Sequence, residues 1–497
     1  MDVDFEEEGL SHGGAGSWVD ELADDSKHGI PKGENSVEWI KQDQKDVEDR
    51  LDIGGLKEDV KVRPYQNDCI KSMFQEKNGS IFGRSGIIDL PCGAGKSLTG
   101  ILATLRWNRH TLIVCPHQKS CRQWREQFQK FTNCKDGQIL MFTSKEKSIL
   151  PNIPHVLITT YNMLTFDQKR SPLSTDIFAQ LSDIHWSLTI FDEVHSLPAE
   201  KYREIPNIFK MTIKMGLSAT IVREDGKIRD LNHLIGPLRK QIDIKPLVEA
   251  NYLSRIHYRF VHCPLDTTFK RTYIDWIGRK EFFESEDIES ETSFGKVLKA
   301  LYTFNPRKLH VLACLLRYHL IRSDKIIVFS DDIVGLQKFA YTFGSLYIDG
   351  KTSEHDRDLR IQAFKDNSDG TTNILFLSQV GDVAIDIPNA NVGIQISFQY
   401  GSQRQELQRI GRISRINMES EGKSNDSYFY TLVSNDTDEM KHFEKRKLYI
   451  QDKGYEVKRL TTFDNVELED EVSTCWPDKP LLLNNEEKIS FVDTILK

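Results

Sequence analysis

The sequence predicts an α/β protein with two tandem, doubly wound parallel sheets. Short runs of β-branched and other apolar residues recur along the chain, and amphipathic helical stretches separate them. Strands that alternate with helices are joined by crossovers, which favour parallel sheets covered on both faces. The alternation occurs in two series, before and after residues 245–303, so we expect two domains of this kind.

The N-terminal segment differs from the rest of the chain in charge. Residues 1–50 hold fifteen acidic and five basic residues, a balance of −10, whereas the whole chain of 497 residues has a net charge of −8. We predict that residues 1–55 form an acidic, largely disordered leader with one candidate helix near 37–51. The remaining chain is close to neutral, so the overall negative charge does not exclude a nucleic-acid-binding protein.

The two series then follow in order. The first series, in a domain expected at 56–244, has candidate strands at 110–116, 153–161, 188–192 and 214–218 and a helix at 118–131. Residues 245–303 lack the alternation, contain an acidic run at 281–291, and are predicted to be a helical insertion outside both sheets. The second series, in a domain at 304–465, has candidate strands at 325–330, 346–349, 373–378, 391–397 and 428–433, with helices at 307–320, 355–365 and 437–451. The tail, 466–497, is expected to offer a partner-binding strand or helix.

Composition excludes several classes of protein. Hydrophobic residues make up 39% of the chain, and no apolar run approaches the ~18 residues of a membrane span. The chain opens with the acidic segment MDVD, where a targeting peptide would be basic. Its eight cysteines include no C-x-x-C pair, which argues against a disulfide framework and a zinc ribbon and favours a reducing compartment.

A glycine-containing turn has the chemistry of a phosphate site. Residues 87–97 read IIDLPCGAGKS, a strand followed by a turn and the start of a helix. Glycines let backbone N–H groups close around an anion, and the helix N-terminus adds partial positive charge. Lys96 would reach the β- and γ-phosphates, and the Ser97 hydroxyl would bind Mg²⁺. Because Leu90 stands where the full pattern has glycine, a surface turn with a chance Lys-Ser pair is the alternative.

An apolar run that ends in two carboxylates follows about a hundred residues later. Residues 188–195 read LTIFDEVH. At the end of a strand, Asp192 is placed to hold Mg²⁺, directly or through water, and Glu193 to activate the attacking water. An ordinary strand with an acidic turn is the alternative, which the presence of the phosphate motif weakens.

A basic segment in the second series completes the set. Residues 405–415 read QELQRIGRISR. Phosphoryl transfer leaves charge on the transferred oxygens, which a guanidinium from another domain can stabilise. Arg412 and Arg415 are three residues apart and share a face of a helical turn. A solvated basic helix is the alternative for this segment alone.

In this order the three motifs resemble those of superfamily 2 helicases and translocases, and the flanking residues resemble the XPB family. The resemblance covers roughly residues 60–460. It rests on RPYQ at 63–66, LPCGAGKS at 90–97, DEVH at 192–195, GLSAT at 216–220, RED at 223–225, QVGD at 379–382, Asp386, IQIS at 394–397, GS at 401–402 and the segment 428–454. It implies two RecA-like domains that form a helicase motor, with 245–303 as a thumb-like insertion that touches DNA.

The resemblance also implies roles for the matching residues. Those implied in binding ATP are Arg63, Tyr65, Gln66, Pro91, Cys92, Gly93, Ala94, Gly95, Lys96, Ser97, Leu98 and Asp386. Gln66 would read adenine. The implied catalytic residues are Lys96, Glu193, Gln408, Arg412 and Arg415, of which the last three would close on the γ-phosphate from the second domain. Those implied in coupling ATP to DNA are Ser218, Ala219, Thr220, Arg223, Glu224, Asp225, Gly381 and Asp382.

The function implied is that of an ATP-dependent 3'–5' DNA helicase or translocase. It would use ATP and Mg²⁺ to open duplex DNA in the nucleus, during transcription initiation by RNA polymerase II, nucleotide excision repair, or both. Its implied partners are duplex DNA, bound largely without sequence preference, and TFIIH-like subunits. Only 62 residues precede Arg63, so we expect a short form without most of the family's N-terminal docking region. Two alternatives remain, an ATP-binding structural subunit with dispensable hydrolysis and an RNA-directed superfamily 2 helicase.

Four further polar residues lie close to predicted strand ends. The hydroxyls of Thr159, Thr160 and Ser378 follow strands, where they could contact a nucleic-acid backbone or merely cap the strand ends, and the two readings have equal weight. His195 follows the acidic pair, and we expect it to relay changes at the Mg²⁺ site rather than to act as a base.

Overall fold

The computed structural model describes residues 39–42, 50–135, 137–151, 153–166, 171–219, 228–278, 288–366, 372–378, 390–397, 403–414, 425–435, 437–463 and 466–467. The chain divides into two compact units. The first comprises residues 1–89 and 97–241, and the second comprises residues 90–96 and 242–497.

The first unit is built on a parallel sheet. Its strands are β1 (Ile40–Lys41), β2 (Phe74–Lys77), β3 (Ser80–Gly83), β4 (Gly86–Asp89), β5 (Thr111–Cys115), β6 (Ile139–Phe142), β7 (Val156–Thr160), β8 (Trp186–Asp192), β9 (Met211–Ser218) and β10 (Leu238–Gln241). Its helices are α1 (Pro64–Met73), α2 (Lys96–Trp107), α3 (Gln118–Phe131), α4 (Tyr161–Leu164), α5 (Pro172–Asp183), α6 (Ile205–Ile208) and α7 (Ile228–Leu234).

Seven of these strands form one sheet in the order β10-β4-β9-β8-β5-β7-β6, and every pairing is parallel. The central strands are buried on both faces, which explains why they read as continuous apolar runs rather than as alternating patterns. The strands β1, β3 and β2 form a separate antiparallel sheet.

The second unit repeats this architecture. Its strands are β11 (Arg255–Cys263), β12 (Ile326–Phe329), β13 (Leu346–Ile348), β14 (Ile374–Leu377), β15 (Val392–Gln395), β16 (Asp426–Ser434), β17 (Val457–Arg459), β18 (Thr462–Phe463) and β19 (Val466–Glu467). Its helices are α8 (Ile244–Glu249), α9 (Thr267–Gly278), α10 (Ile288–Thr303), α11 (Pro306–Ile321), α12 (Ile333–Thr342), α13 (Glu354–Asp366), α14 (Gln403–Ile413) and α15 (Asp438–Asp452). The sheet order is β13-β14-β12-β15-β16-β11-β17, again all parallel, while β18 and β19 pair antiparallel.

These two sheets confirm the α/β fold class that the sequence predicts. All nine candidate strands exist, with ends that differ by a few residues. The strands that could not be predicted from the sequence are short or carry polar residues. A four-residue apolar run such as β6 is too brief to show a period.

The largest correction concerns residues 245–303. We expected this segment to lie outside both sheets, but β11 pairs with β16 over nine residues and with β17 on its other side. Arginine and histidine interrupt its apolar pattern, since Tyr258 and Phe260 are buried while Arg255 is exposed. Helices α9 and α10 follow β11, and most of the acidic run at 281–291 lies outside the described residues.

The boundary of the leader also changes. Most of the expected leader lies outside the described residues, but Leu51 and Ile53 are buried and therefore belong to the packed first unit. Within the candidate helix at 37–51, the described residues Ile40 and Lys41 instead form β1, which pairs with β3.

Two further features bear on the class of protein. Among the described residues, no helix combines the length and apolar character that crossing a membrane requires. Of the cysteines that the structure describes, six are free thiols, namely Cys69, Cys92, Cys115, Cys121, Cys134 and Cys263. Cys314 is disulfide-bonded, which the cysteine spacing did not predict.

Candidate active site

The carboxyl edge of the first sheet brings together the ends of three adjacent strands. Strand β9 lies between β4 and β8, and Asp89 at the end of β4 pairs with Ser218 at the end of β9. On the other side of β9, Asp192 pairs with Leu217. In open parallel sheets ligands bind outside the carboxyl ends of the strands, so this edge is the candidate site.

The turn after β4 has the backbone of an anion-binding loop. Gly93 and Gly95 adopt left-handed conformations, with φ of 82° and 83°, which glycine accepts without steric cost. The Ala94 N–H donates to the Pro91 carbonyl at 3.1 Å, and α2 begins at once with Lys96. Leu90, which replaces the expected glycine, is fully buried. The position that is glycine in the full pattern is therefore occupied here by a core residue, Leu90, at the start of the loop.

Asp192 is held by three hydrogen bonds from different parts of the first unit. Its Oδ1 accepts from the Glu193 N–H at 3.1 Å, and its Oδ2 accepts from the indole Nε1–H of Trp124 at 3.0 Å. Its carbonyl accepts from the Tyr161 hydroxyl at 3.0 Å. Burial raises the pKa of Tyr161 well above its ordinary value, so the phenol stays protonated and remains a donor.

A polar chain leads from Glu193 to the end of β9. Glu193 adopts a left-handed conformation with φ of 49°, uncommon for a residue other than glycine and often found at functional sites. Its Oε2 lies 3.3 Å from Nδ1 of His195, and the same nitrogen lies 2.9 Å from the Ser218 hydroxyl. His195 and Ser218 are both buried. The His195 imidazole therefore contacts both Glu193, which follows β8, and Ser218, which ends β9.

Gly216 on β9 allows the turn that carries His195 to approach the sheet. A Cβ atom at position 216 would lie 2.9 Å from Cγ2 of Val194, whose branched side chain cannot swing away easily. We expect Gly216→Ala to destabilise the protein by about 1–3 kcal/mol through overpacking, seen as a lower thermal midpoint. Gly295→Ala is the control, because nothing lies within 4 Å of the added Cβ in α10 and alanine favours the helix. Equal midpoints for wild type and Gly216→Ala would contradict this packing argument.

The residues implied in adenine binding surround the start of α1. The Oε1 of Gln66 accepts from the Arg63 N–H at 3.0 Å, which closes the first turn of the helix. Arg63 also donates to the Tyr65 hydroxyl at 3.2 Å. Gln66 is buried, so this capping bond sets the orientation of its side chain.

In the second unit, α14 presents two different arginines. Arg409 is fully buried, with its guanidinium 2.5 Å from Asp331 Oδ1 and 2.9 Å from Gln395 Oε1. Gln408 and Arg412 are partly exposed on the same helix. The helix therefore separates an arginine that anchors it to the sheet from side chains that solvent and ligands can reach.

Within the second unit, the end of α14 contacts the loop residues 90–96. The Ser414 hydroxyl donates to the Cys92 carbonyl at 3.4 Å. A Cβ atom at Gly411 would lie 2.3 Å from Cβ of Cys92, so the close approach requires glycine there. Cys92 thus serves as a small packing residue.

Two of the predicted strand-end hydroxyls have structural partners. Thr159 is fully buried and donates to the Phe142 carbonyl at 2.7 Å, and Thr160 caps α4 by accepting from the Met163 N–H at 3.2 Å. Ser378 is also buried. For Thr159 and Thr160 these bonds favour the structural interpretation over contact with a nucleic-acid backbone, whereas the buried Ser378 hydroxyl makes no hydrogen bond to the described residues. The site predictions that lie outside the described residues are Thr220, Arg223, Glu224, Asp225, Gly381, Asp382, Asp386 and Arg415.

The oxygen donors at this edge fit Mg²⁺. Asp192 offers an oriented carboxylate that is partly exposed, and Ser97 offers a hydroxyl in the first turn of α2. The described part of the chain holds no group of three or more His, Cys, Asp or Glu side chains that could enclose a metal ion. Mg²⁺ suits such a site, since it binds through one or two carboxylates together with water and substrate phosphates.

Three residues at these sites were not singled out from the sequence: Trp124, Tyr161 and Arg409. Trp124 and Tyr161 are far from Asp192 in the chain, so no spacing connects them with it. Arg409 lies inside the predicted basic segment, where helical periodicity separates it from Arg412 but does not say which of the two faces the core.

Two family models match the chain. Residues 247–484 match the model described as ERCC3/RAD25/XPB C-terminal helicase, and residues 59–223 match the model described as type III restriction enzyme, res subunit. The two matches fall on the two series of strands that the sequence predicts.

Curated relatives are similar over most of this chain. The general transcription and DNA repair factor IIH helicase/translocase subunit XPB of Dictyostelium discoideum is 40% identical over 416 residues, 83% of this chain and 49% of that protein. The XPB/SSL2 subunit of Saccharomyces cerevisiae is 36% identical over 443 residues, 88% of this chain and 50% of that protein. The chain thus spans about half the length of the curated relatives it matches.

Solved structures with a similar fold are more distant in sequence. S. cerevisiae Dbp5 bound to RNA and ADP BeF3 is 14% identical, with a TM-score of 0.55 over 88% of this chain and 94% of that chain. The Pyrococcus furiosus Hef helicase domain is 16% identical, with a TM-score of 0.53 over 79% of this chain and 100% of that chain. At this identity the likeness establishes the fold alone, a pair of RecA-like domains.

Proposed function

The chain belongs to the XPB family of superfamily 2 helicases, and we propose that it is an ATP-dependent DNA translocase or helicase. In this proposal it moves with 3'–5' polarity and opens duplex DNA in transcription initiation by RNA polymerase II, in nucleotide excision repair, or in both. The observation that carries the proposal is the carboxyl edge of the first sheet. There Asp192 ends β8 and Glu193 follows it, while the loop that leads into α2 follows β4, on the other side of β9.

The residues of the two units have distinct roles in this proposal. The loop amides of residues 91–95 and Lys96 bind the phosphates, and Ser97 and Asp192 would hold Mg²⁺. When bound, Mg²⁺ would neutralise phosphate charge and orient the oxygens of the reacting group. Glu193 accepts a proton from the attacking water. Gln66 and Arg63 bind the base, and Gln408, Arg412 and Arg415 stabilise charge on the γ-phosphoryl oxygens.

The chain of contacts from Glu193 through His195 to Ser218 supports a coupling role for the end of β9. Because the His195 imidazole contacts both partners, a change at Glu193 shifts the hydrogen bonding of Ser218. Ser218 leads directly into Ala219 and the segment 220–225, which we propose acts on DNA. A movement of the Glu193 carboxylate would thereby displace the start of the DNA-coupling segment through two contacts, Glu193 to His195 and His195 to Ser218.

We propose partners of three kinds. Duplex DNA is bound mainly through its backbone, so binding should weaken steeply with salt. Helices α9 and α10 serve as a thumb-like element that contacts the duplex. TFIIH-like subunits are the proposed protein partners, and the nucleus is the proposed location.

The test is ATP turnover with no nucleic acid, duplex DNA, single-stranded DNA and duplex RNA. We expect duplex DNA to stimulate turnover most, and Lys96→Ala to lower it at least about 100-fold, because a positioned cation at the phosphates is lost. Lys130→Ala is the control, since Lys130 is an exposed lysine on α3. Stimulation by duplex RNA alone would instead identify an RNA-directed helicase. If the wild-type chain turns over ATP no faster than the Lys96→Ala variant in every condition, even with TFIIH-like subunits added, the result would support the alternative of a structural subunit.

A further inference from the structure

We propose that Trp124 is a positioning residue that orients the Asp192 carboxylate toward Mg²⁺. The inference rests on the proposed function and extends it to a side chain that contacts neither nucleotide nor metal. It begins from the hydrogen bond of 3.0 Å between the indole Nε1–H and Asp192 Oδ2.

The environment of Trp124 makes this hydrogen bond a strong constraint. The indole is only 2% exposed, and a buried indole N–H requires an acceptor. Here the acceptor is a carboxylate, and hydrogen bonds to charged groups are shorter and stronger than those between neutral groups. Removing the N–H therefore removes a donor that holds Asp192 in one orientation.

The two oxygens of Asp192 are fixed by separate donors. Oδ1 accepts from the Glu193 backbone N–H, and Oδ2 accepts from Trp124. Together these bonds stop rotation about the Cβ–Cγ bond. An ionised carboxylate oxygen can accept more than one interaction, so a hydrogen bond to Oδ1 or Oδ2 does not by itself prevent that oxygen from binding a metal ion or its water ligands. The two hydrogen bonds therefore orient the Asp192 carboxylate before a metal ion binds.

The position of the indole is itself set by the helix that follows the phosphate loop. A Cβ atom at Gly100 in α2 would lie 2.5 Å from Cη2 of Trp124, so glycine leaves the space that the ring occupies. On its own helix, α3, the ring packs against Phe128 with centroids 6.4 Å apart. One side chain on α3 thus sets the placement of the carboxylate at the end of β8 relative to α2.

A role through the metal ligand has a signature that packing alone lacks. Groups that hydrogen-bond to metal ligands typically contribute 10- to 100-fold to metal affinity. Loss of the indole N–H should therefore raise the Mg²⁺ requirement for nucleotide binding, while binding measured without Mg²⁺ stays unchanged. A purely structural role would lower the thermal midpoint and leave the Mg²⁺ requirement unaltered.

The experiment compares two replacements of Trp124 with a matched control. Trp124→Phe removes the N–H and part of the ring, and β-(3-benzothienyl)alanine at position 124 removes the N–H but keeps the bicyclic shape. Trp186→Phe is the control, because this buried indole donates to the Leu181 carbonyl at 3.1 Å, away from Asp192. The readout is the Mg²⁺ concentration at half-maximal binding of a fluorescent, non-hydrolysable ATP analogue, with the thermal midpoint measured alongside.

We expect both Trp124 replacements to raise the half-maximal Mg²⁺ concentration about 10-fold and Trp186→Phe to leave it unchanged. An unchanged Mg²⁺ requirement in the benzothienyl protein would overturn the inference and leave Trp124 as a core residue. If Trp124→Phe fails to fold, the benzothienyl protein decides alone. A wild-type chain that binds the analogue without any dependence on Mg²⁺ would contradict the proposed function itself, which separates the two failures.

Discussion

Replacing Glu193 with glutamine is expected to lower ATP turnover by about 10²- to 10⁴-fold, the usual contribution of a general base. The amide keeps the shape of the side chain but cannot accept the proton of the attacking water. Glu193 suits this role because its side chain is 20% exposed and can therefore contact water. Its left-handed backbone conformation sets the direction of the side chain immediately after β8. Nucleotide binding should remain, since Lys96, Ser97 and Asp192 are unchanged.

The measurement is steady-state turnover in the presence of duplex DNA, with nucleotide binding measured in parallel. Glu126→Gln is the matched control, because Glu126 is an exposed glutamate on α3 in the same unit. Turnover by Glu193→Gln close to the wild-type value would exclude Glu193 as the base. Turnover that disappears together with nucleotide binding would show that the substitution had damaged the site as a whole.

Replacing Arg409 with methionine is expected to destabilise the second unit by about 3–5 kcal/mol, because Asp331 would remain buried without its cationic partner. Both side chains of this ion pair are 0% exposed, and Arg409 also donates to Gln395. For a unit of this size the loss corresponds to a fall in thermal midpoint of roughly 10 °C. Arg412→Met, on the same helix but partly exposed, should lower turnover about 10³-fold or more with little change in stability.

A double substitution tests whether the ion pair is the cause. Arg409→Met combined with Asp331→Leu replaces both charges by apolar groups, and such replacements are often neutral in stability. We therefore expect the double variant to regain most of the midpoint lost by Arg409→Met. A single Arg409→Met variant as stable as wild type would disprove the anchoring role of this arginine.

The positions of the strands and the chemistry at their ends were predictable from the sequence to different degrees. The nine candidate strands were predicted because buried parallel strands are continuous apolar runs bounded by helical patterns. Strand β11 was not predicted, because arginine and histidine alternate with its apolar residues and break the continuous apolar run that marks the other strands. Its pairing with β16 also depends on residues about 170 positions away.

The candidate site divides in the same way. The turn at 91–97 and the pair Asp192–Glu193 were predicted because backbone conformation and strand-end position depend on neighbours in the chain. The hydrogen bond from Trp124 to Asp192 was not, because the two residues are 68 positions apart and belong to different elements.

The sequence by itself therefore determined the α/β class, the two series of strands and the chemical type of the residues proposed to hydrolyse ATP. These depend on local periodicity and on turn chemistry, which are read over a few consecutive residues. Only the tertiary structure decided that Arg409 is a buried anchor, that His195 bridges Glu193 and Ser218, and that Leu90 belongs to the core. Such contacts join side chains that the chain brings together only when its sheets assemble, so no spacing along the sequence encodes them.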